Sequence, residues 1–329
     1  MTVVPNYAKP SINNESIPVT FLIPIRNGSQ YLTNLFSSLQ TMVRKTDEIL
    51  VIDDGSEDDT FLKLHEYSVD NLRIIRNSKP GLVNALNLGL KESQNILIAR
   101  VDVDDSYLSG RIPRQLEFLD NNTVAVFSDY LFRDKFNKSL GTIYSAIFPS
   151  AVSVSLISSQ RTAHPSVLFR KDAVLDVGGY RADDFPAEDL SLWLRLSRVG
   201  DLKSAPSTLL KYYLNPFGVS ASKSNLMKIK KIEHLTNIGI NSKDVSNLNL
   251  NFEKIMNNYD AYPNSAERKL LLARELMILG KFTKFKSTEF NNGIRIISRT
   301  MLTEKSASVN AIRLIIDRLK RKYYLKQSH

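Results

Sequence analysis

Apolar residues over the first two hundred positions fall into two alternating rhythms. Short runs rich in Val, Ile and Leu recur at Val19–Ile25, Glu48–Ile52, Leu72–Ile75, Asn95–Val101 and Thr123–Tyr130. Between them lie segments whose apolar residues step by three and four. Ser29–Val43 carries Leu32, Leu35, Phe36, Leu39 and Met42; Thr60–Tyr67, Leu82–Glu92 and Arg111–Leu119 read the same way. The runs predict strands and the stepped segments predict amphipathic helices. Near-continuous apolar strands, alternating with helices over short connections, predict an α/β fold. Its sheet should be mainly parallel, with helices on both faces.

After Tyr130 the rhythm loosens. Ser166–Arg170 predicts a strand, Gly178-Gly179 a sharp turn, Leu190–Val199 a helix and Leu209–Leu214 a last strand. From Ser222 onward only helical patterns remain, and no internal repeat is present. Ser265–Leu279 carries Leu270, Leu271, Ala273, Leu276, Met277 and Leu279. Farther on, Val309, Ile312, Ile316, Leu319 and Tyr323 form one apolar stripe, bordered by Arg313, Arg318, Lys320, Arg321, Lys322 and Lys326. The organisation expected is an irregular lead-in over 1–17, a catalytic domain over 18–220 and a helical basic region over 221–329.

Charge sharpens that division. The chain of 329 residues has a net charge of +10. Residues 1–220 hold 23 basic and 25 acidic side chains, whereas residues 221–329 hold 21 and 9. The basic surplus therefore belongs to the C-terminal third, which weakens a nucleic-acid reading of the whole protein. A basic amphipathic helix there fits an anionic membrane surface. It fits equally a helix packed on the catalytic domain with a solvated basic face. No apolar run approaches the ~18 residues of a transmembrane helix, and the polar stretch from Met1 to Ser16 lacks the core of a signal peptide. The expected location is the cytoplasm, or the inner face of the cytoplasmic membrane as a peripheral protein. Without cysteine, a disulfide framework, a thiolate metal site and a cysteine nucleophile are all excluded.

Three acidic clusters carry the candidate chemistry. Asp53-Asp54-Gly55-Ser56 follows the second predicted strand and Asp102-Val103-Asp104-Asp105 the fourth. In open α/β sheets that edge binds ligands. Three carboxylates within four residues raise one another's pKa unless a cation is shared, and a hard ion such as Mg²⁺ or Mn²⁺ takes such oxygens together with phosphates. A solvated acidic turn capping a helix would look similar. Two adjacent Asp after an apolar strand leave one partly buried, in need of donors such as a nucleobase imide or ribose hydroxyls. Glu188-Asp189 opens a predicted helix, where acidic residues also simply complement the dipole.

In their order and spacing these stretches resemble the inverting glycosyltransferases of family 2, which have the GT-A fold. The resemblance covers about residues 18–214. It rests on Pro18–Gly28 with Tyr31-Leu32, Glu48–Thr60, Arg76-Asn77, Gly81–Gly89 and Ile98–Asp105. Arg111–Gln115, His164–Arg170, Gly178-Gly179-Tyr180 and Glu188–Leu196 complete it. It implies a GT-A Rossmann-like sheet. It also implies that Pro24 and Arg26 line a nucleotide site and that Asp53 and Asp54 meet the nucleoside. Asp102 and Asp104 would meet ribose and a metal-bound diphosphate, with Asp105 as an alternative ligand. Asp189, with Glu188 beside it, would be the catalytic base, and His164 and Arg170 would lie along the active-site wall. Two features depart from the family: Arg100 precedes the acidic motif, where it can pair with an acidic neighbour, and Leu86 stands where arginine is common.

The implied reaction moves a sugar from a nucleotide-sugar, a UDP-sugar foremost, to a hydroxyl of a glycan or lipid-linked acceptor in cell-surface polysaccharide synthesis, with a divalent metal. A sugar-phosphate nucleotidyltransferase is disfavoured because Arg26-Asn27-Gly28-Ser29 lacks a Gly-rich triphosphate loop. A nucleic-acid module is disfavoured because no recognised binding signature occurs. Trp193 sits inside an apolar helical pattern and reads as core.

Overall fold

The computed structural model describes residues 17–237, apart from 148, 159 and 160, and residues 264–273, apart from 267. Among these, nine strands make one sheet. They are β1 (Val19–Ile25), β2 (Glu48–Asp53), β3 (Leu72–Arg76), β4 (Leu97–Arg100), β5 (Ser106–Tyr107), β6 (Thr123–Arg133), β7 (Ser139–Ile143), β8 (Leu168–Arg170) and β9 (Asp201–Tyr213). The order is β3-β2-β1-β4-β8-β6-β9-β5, with β7 paired to β6. β1 runs parallel to β2 and β4, β2 to β3, and β6 to β9, while β8 is antiparallel to β4 and β6. The chain steps outward from β1 to β3, then returns to lay β4 on the other side of β1. That reversal creates a switch point at the carboxyl ends of β1 and β4, where such sheets open a ligand crevice.

Strand periodicity explains why the strand runs are apolar throughout. On β1, Leu22 joins one core cluster with Leu50, Leu86, Ile98 and Trp193. Its neighbours Phe21 and Ile23 join the other, with Leu35, Phe36, Val51 and Ile112. Successive side chains point to opposite faces, and both faces are covered. Helix α1 (Leu32–Gln40) buries Leu32, Leu35, Phe36 and Leu39 in this way. Helix α3 (Leu82–Glu92) crosses the opposite face so closely that a Cβ on Gly89 would stand 2.1 Å from Leu22 Cδ1. The remaining helices are α2 (Thr60–Leu64), α4 (Arg111–Leu116), α5 (Pro149–Ser158), α6 (Lys171–Asp176), α7 (Glu188–Leu196), α8 (Val219–Ser222) and α9 (Ser224–Asn237).

The strands and helices expected up to Tyr130 are present, with ends shifted by a few residues. β5, β7, α5 and α6 were not legible. In α5 the sequence Val152-Ser153-Val154-Ser155-Leu156 alternates with a strand's period, yet it folds as helix. β9 begins at Asp201, eight residues before the predicted start, because its pairing with β6 shifts register around Ser128–Tyr130, opposite Pro206. A proline there removes a ladder donor and hides the strand from pattern reading. The Gly178-Gly179 turn is present, with φ of 86° and 63°.

The C-terminal segment 265–273 is helical where described and packs against the sheet at β6. Ala266, Leu271, Leu272 and Ala273 are buried. Arg268 reaches Asp129 on β6, with Nη2 2.6 Å from Oδ2. The remainder of the Ser265–Leu279 pattern and the apolar stripe of 309–323 lie outside the described residues.

Candidate active site

At the switch point β1 runs on past β4. Their register ends at Leu22 opposite Arg100, while β1 continues against β2 to Ile25 opposite Asp53. Pro24 is tolerated inside this central strand because its nitrogen faces the side that β4 has already left. It lines the gap. Arg26 follows at the exposed rim, with Nη2 3.2 Å from Glu57 Oε1. The β1–α1 turn is tied to the β2–α2 turn by Asn27 N–H to Ser56 Oγ (3.0 Å) and Gly28 N–H to Thr60 Oγ1 (2.9 Å).

Asp53 and Asp54 divide their tasks. Asp54 accepts bonds from Asn77 Nδ2 (2.7 Å) and Gly81 N (2.8 Å), so its carboxylate holds the β3–α3 loop. Asp53 is fully buried. Its Oδ1 accepts Ser56 N–H at 3.2 Å, and Arg76 Nε stands 3.5 Å from Oδ2. That second oxygen is buried without a hydrogen-bond partner. A buried carboxylate oxygen lacking a donor is costly unless a ligand completes it.

Asp102 and Asp104 stand half-buried just beyond β4. Each commits one oxygen within the protein: Asp102 Oδ1 pairs with the buried Arg100, and Asp104 Oδ2 accepts Asn215 Nδ2 at 3.1 Å. Burial and the neighbouring Asp102 push the Asp104 carboxyl up to about 6. Such mutually repelling oxygens fit a hard divalent cation that also takes phosphate oxygens. Asp105 requires a correction to the expected ligand set. It is buried, its Oδ1 accepts Tyr213 N–H at 2.7 Å, and it anchors the end of β9. Among the described residues no three His, Cys, Asp or Glu side chains converge as a metal site. The pair at the rim is Asp102 and Asp104.

Helix α7 brings its first turn to the same edge. Glu188 is buried, its Oε2 has no hydrogen-bond partner, and burial together with Asp189 pushes it up to about 7. Arg100 and Asp102 are close enough to perturb it as well. Asp189 is half-buried, and its Oδ1 accepts Leu190 N–H at 2.6 Å in the first turn of the helix. His164 lies behind, with Nε2 2.8 Å from Tyr180 Oη and its ring edge-on to Trp193. Burial and Arg100 hold its pKa well below the ordinary value, so the ring is neutral. Trp193 is fully buried, edge-on to Phe127, and belongs to the core.

Arg170 requires the second correction. It pairs with Leu97, at the start of β4, and its Nε donates to Thr123 O at the start of β6 (3.0 Å). Its guanidinium therefore buttresses the end of the sheet opposite the site. Residues that the reading by motif missed come from distant strand ends. Arg133 Nη2 donates to Asp104 O (2.6 Å) and stacks over Tyr213, and Asn215 holds Asp104. No local signal marks them; only strand pairing brings them there.

Residues 20–175 match the family described as glycosyl transferase family 2. That match runs from β1 into α6, a little under half of the chain. A relative from Escherichia coli, UDP-Gal:alpha-D-GlcNAc-diphosphoundecaprenol beta-1,3-galactosyltransferase, is 29% identical over 187 residues, 54% of this chain and 66% of that one. Two uncharacterized Rickettsia glycosyltransferases match with 28% identity, and the chain spans 63% and 64% of their lengths. In fold, the chain resembles Staphylococcus aureus TarS 1–349 solved with UDP-GlcNAc. The TM-score is 0.53 at 16% identity, over 94% of this chain and 92% of that one. A mannosyltransferase of Pyrobaculum calidifontis, solved with GDP-Man and Mn²⁺, gives a TM-score of 0.53 at 13% identity, over 93% and 87%. The fold is thus GT-A-like. Among the described residues no helix is long and apolar enough to cross a membrane.

Proposed function

We propose that this glycosyltransferase transfers a sugar, with inversion, from a nucleotide-sugar to a hydroxyl of a glycan or lipid-linked acceptor in cell-surface polysaccharide assembly. A UDP-sugar is the foremost donor. The observation that carries the reading is the buried Asp53 Oδ2 without a donor, set at the β1–β4 switch point beside Asp102 and Asp104. A nucleobase imide N–H supplies the missing donor. Pro24 lines the base and ribose, and Arg26 reaches the diphosphate from the rim. Asp54 acts through the loop it holds. The names of relatives agree with this chemistry: one uses UDP-Gal and a lipid diphosphate acceptor, and two structural neighbours were solved with nucleotide-sugars.

Asp102 and Asp104 would hold Mg²⁺ or Mn²⁺, which when bound supplies Lewis-acid stabilisation of a leaving diphosphate. Arg100 orients Asp102 and offsets its charge. Asp189 takes the proton from the attacking acceptor hydroxyl, whose own pKa lies far above neutrality. It sits in the first turn of α7, where the helix dipole favours negative charge. Glu188, beside it and raised to about 7, is partly protonated near neutrality and in that form donates to a sugar hydroxyl. His164, neutral and bonded to Tyr180, shapes the wall. No protein nucleophile is needed in a single displacement. The enzyme would act peripherally at the inner face of the cytoplasmic membrane, with the basic region 221–329 as the contact, and takes no nucleic acid.

The test is a panel of nucleotide-sugars with Mg²⁺ or Mn²⁺, read by diphosphate release and thermal stabilisation. One donor should stabilise the protein and turn over, and Asp53→Asn should abolish the preference for its base. A panel in which no donor stabilises or reacts sinks the reading.

A further inference from the structure

Two phenylalanines are the most solvent-exposed large apolar side chains among the described residues: Phe217 at 83% and Phe136 at 79%. They are far apart in sequence but extend from one point of the sheet. Arg133, at the end of β6, is the register partner of Tyr213, at the end of β9, and Leu214 N donates to Arg133 O at 2.9 Å. Phe136 lies three residues beyond the first, at the tip of the β6–β7 hairpin. Phe217 lies four residues beyond the second.

Both segments are held in shape rather than loose. Asp134 Oδ1 caps the hairpin tip by accepting Phe136 N–H (2.9 Å) and Lys138 N–H (2.8 Å). Asn215 Oδ1 accepts Phe217 N–H at 3.0 Å. Neither cap needs a phenylalanine side chain, and each presents one to water. Exposed lysines border them: Lys135 and Lys138 on the hairpin, Lys223 after Phe217. The chain then enters α9, which exposes Leu226 at 42% and Ile229 at 53% beside Lys228. Rigidly displayed apolar side chains ringed by lysines match the boundary of an anionic lipid surface, with the rings entering the acyl region and the ammonium groups meeting the headgroups. A docking protein would have to supply an acidic apolar face, for which nothing in the chain argues.

We infer that the edge formed by the 134–138 hairpin and residues 215–229 is a membrane-docking rim, with Phe136 and Phe217 as its inserting side chains and an anionic lipid surface as its partner. The same two segments touch the candidate metal site: Arg133 donates to Asp104 O and Asn215 to Asp104 Oδ2. Docking therefore brings the Asp102–Asp104 rim close to the lipid surface, where a sugar carried on a lipid diphosphate would wait. This last step rests on the proposed function; the docking itself does not.

The experiment is flotation of the full chain with vesicles of phosphatidylcholine alone and with about one third phosphatidylglycerol, alongside Phe136→Ser/Phe217→Ser and Lys135→Glu/Lys138→Glu. Wild type should bind the anionic vesicles and not the neutral ones. The double serine variant should bind at least tenfold more weakly, and the charge variant should show a weaker salt dependence. Nucleotide-sugar hydrolysis in solution should be unchanged in both. Wild type that ignores anionic vesicles, or a serine variant that binds as wild type does, overturns the proposal. So does a wild-type dimer in solution that the serine substitutions dissociate, since a second copy would then be the occupant. Hydrolysis absent from every variant while flotation behaves as expected would count against the enzyme reading alone.

Discussion

Buried carboxylates at two places in this molecule are treated in opposite ways. On the middle of β6, Asp129 is saturated. It accepts Ser145 N–H at 2.7 Å and Arg268 through both oxygens at 3.3 and 2.6 Å, and Arg268 also donates to Ser145 O. At the ligand edge, Asp53 Oδ2 and Glu188 Oε2 are buried with no hydrogen-bond partner, Arg76 Nε standing 3.5 Å from the first. The first arrangement fastens the segment 264–273 to the sheet through β6. The second leaves two acceptors that no hydrogen bond among the described residues completes. Interior polar groups are nearly always satisfied, so unsatisfied oxygens gathered at the strand ends mark where ligands belong. A saturated carboxylate should cost stability when removed, and an unsatisfied one should cost turnover.

The sharpest break would come from Asp189→Asn. It should fold normally and lose roughly 10²–10⁴-fold in kcat; near-normal turnover would remove Asp189 from the base role. Next is the β6 pair. Asp129→Ala or Arg268→Ala should each lose about 3–5 kcal/mol in urea unfolding, because each strands a buried charge. The double change Asp129→Leu/Arg268→Met should recover much of that. If the single variants unfold like wild type, the segment 264–273 is not fastened through this pair.

A smaller effect is expected at Glu188, whose carboxyl moves from the ordinary 4.5 up to about 7, mainly by burial. A carboxyl raised on folding contributes fully below pH 4.5, and that contribution fades as pH rises through 7. Glu188→Gln keeps it. Relative to wild type, the variant should gain on the order of 3 kcal/mol between pH 4.5 and 8. A pH-independent difference in unfolding free energy would contradict the shift. The smallest effect belongs to Arg26→Ala. Its pair with Glu57 is exposed on both sides, so stability should change by less than ~0.5 kcal/mol, while the KM for donor should rise severalfold. A large stability loss with unchanged KM would move Arg26 from the site to the scaffold.

Much of this was legible before folding. Val19–Ile25, Glu48–Ile52 and Leu82–Glu92 announced themselves because strands buried on both faces are apolar throughout and a half-buried helix steps by three and four. The acidic clusters were legible because short βα turns place them at strand ends. Arg170 was misread for a physical reason. An antiparallel strand inserted between β4 and β6 sends its carboxyl end to the opposite side of the sheet, and nothing in His164–Arg170 states that direction. Asp105 was not separable from its neighbours because three carboxylates within four residues look alike in sequence, whereas the bend after β4 turns Asp105 into the interior and leaves Asp102 and Asp104 at the rim.

The sequence by itself determined the alternation of strands and helices, the edge at which the chemistry gathers and the residue types available there, since periodicity and turn length are local properties. Only the tertiary structure decided that Asp54 holds a loop while Asp53 keeps an unsatisfied oxygen. It alone decided that Arg133 and Asn215 support Asp104, and that Arg268 closes onto Asp129 across more than a hundred residues. Those outcomes depend on which strand ends become neighbours and which oxygens lose water, and both are set by the packing of the whole sheet.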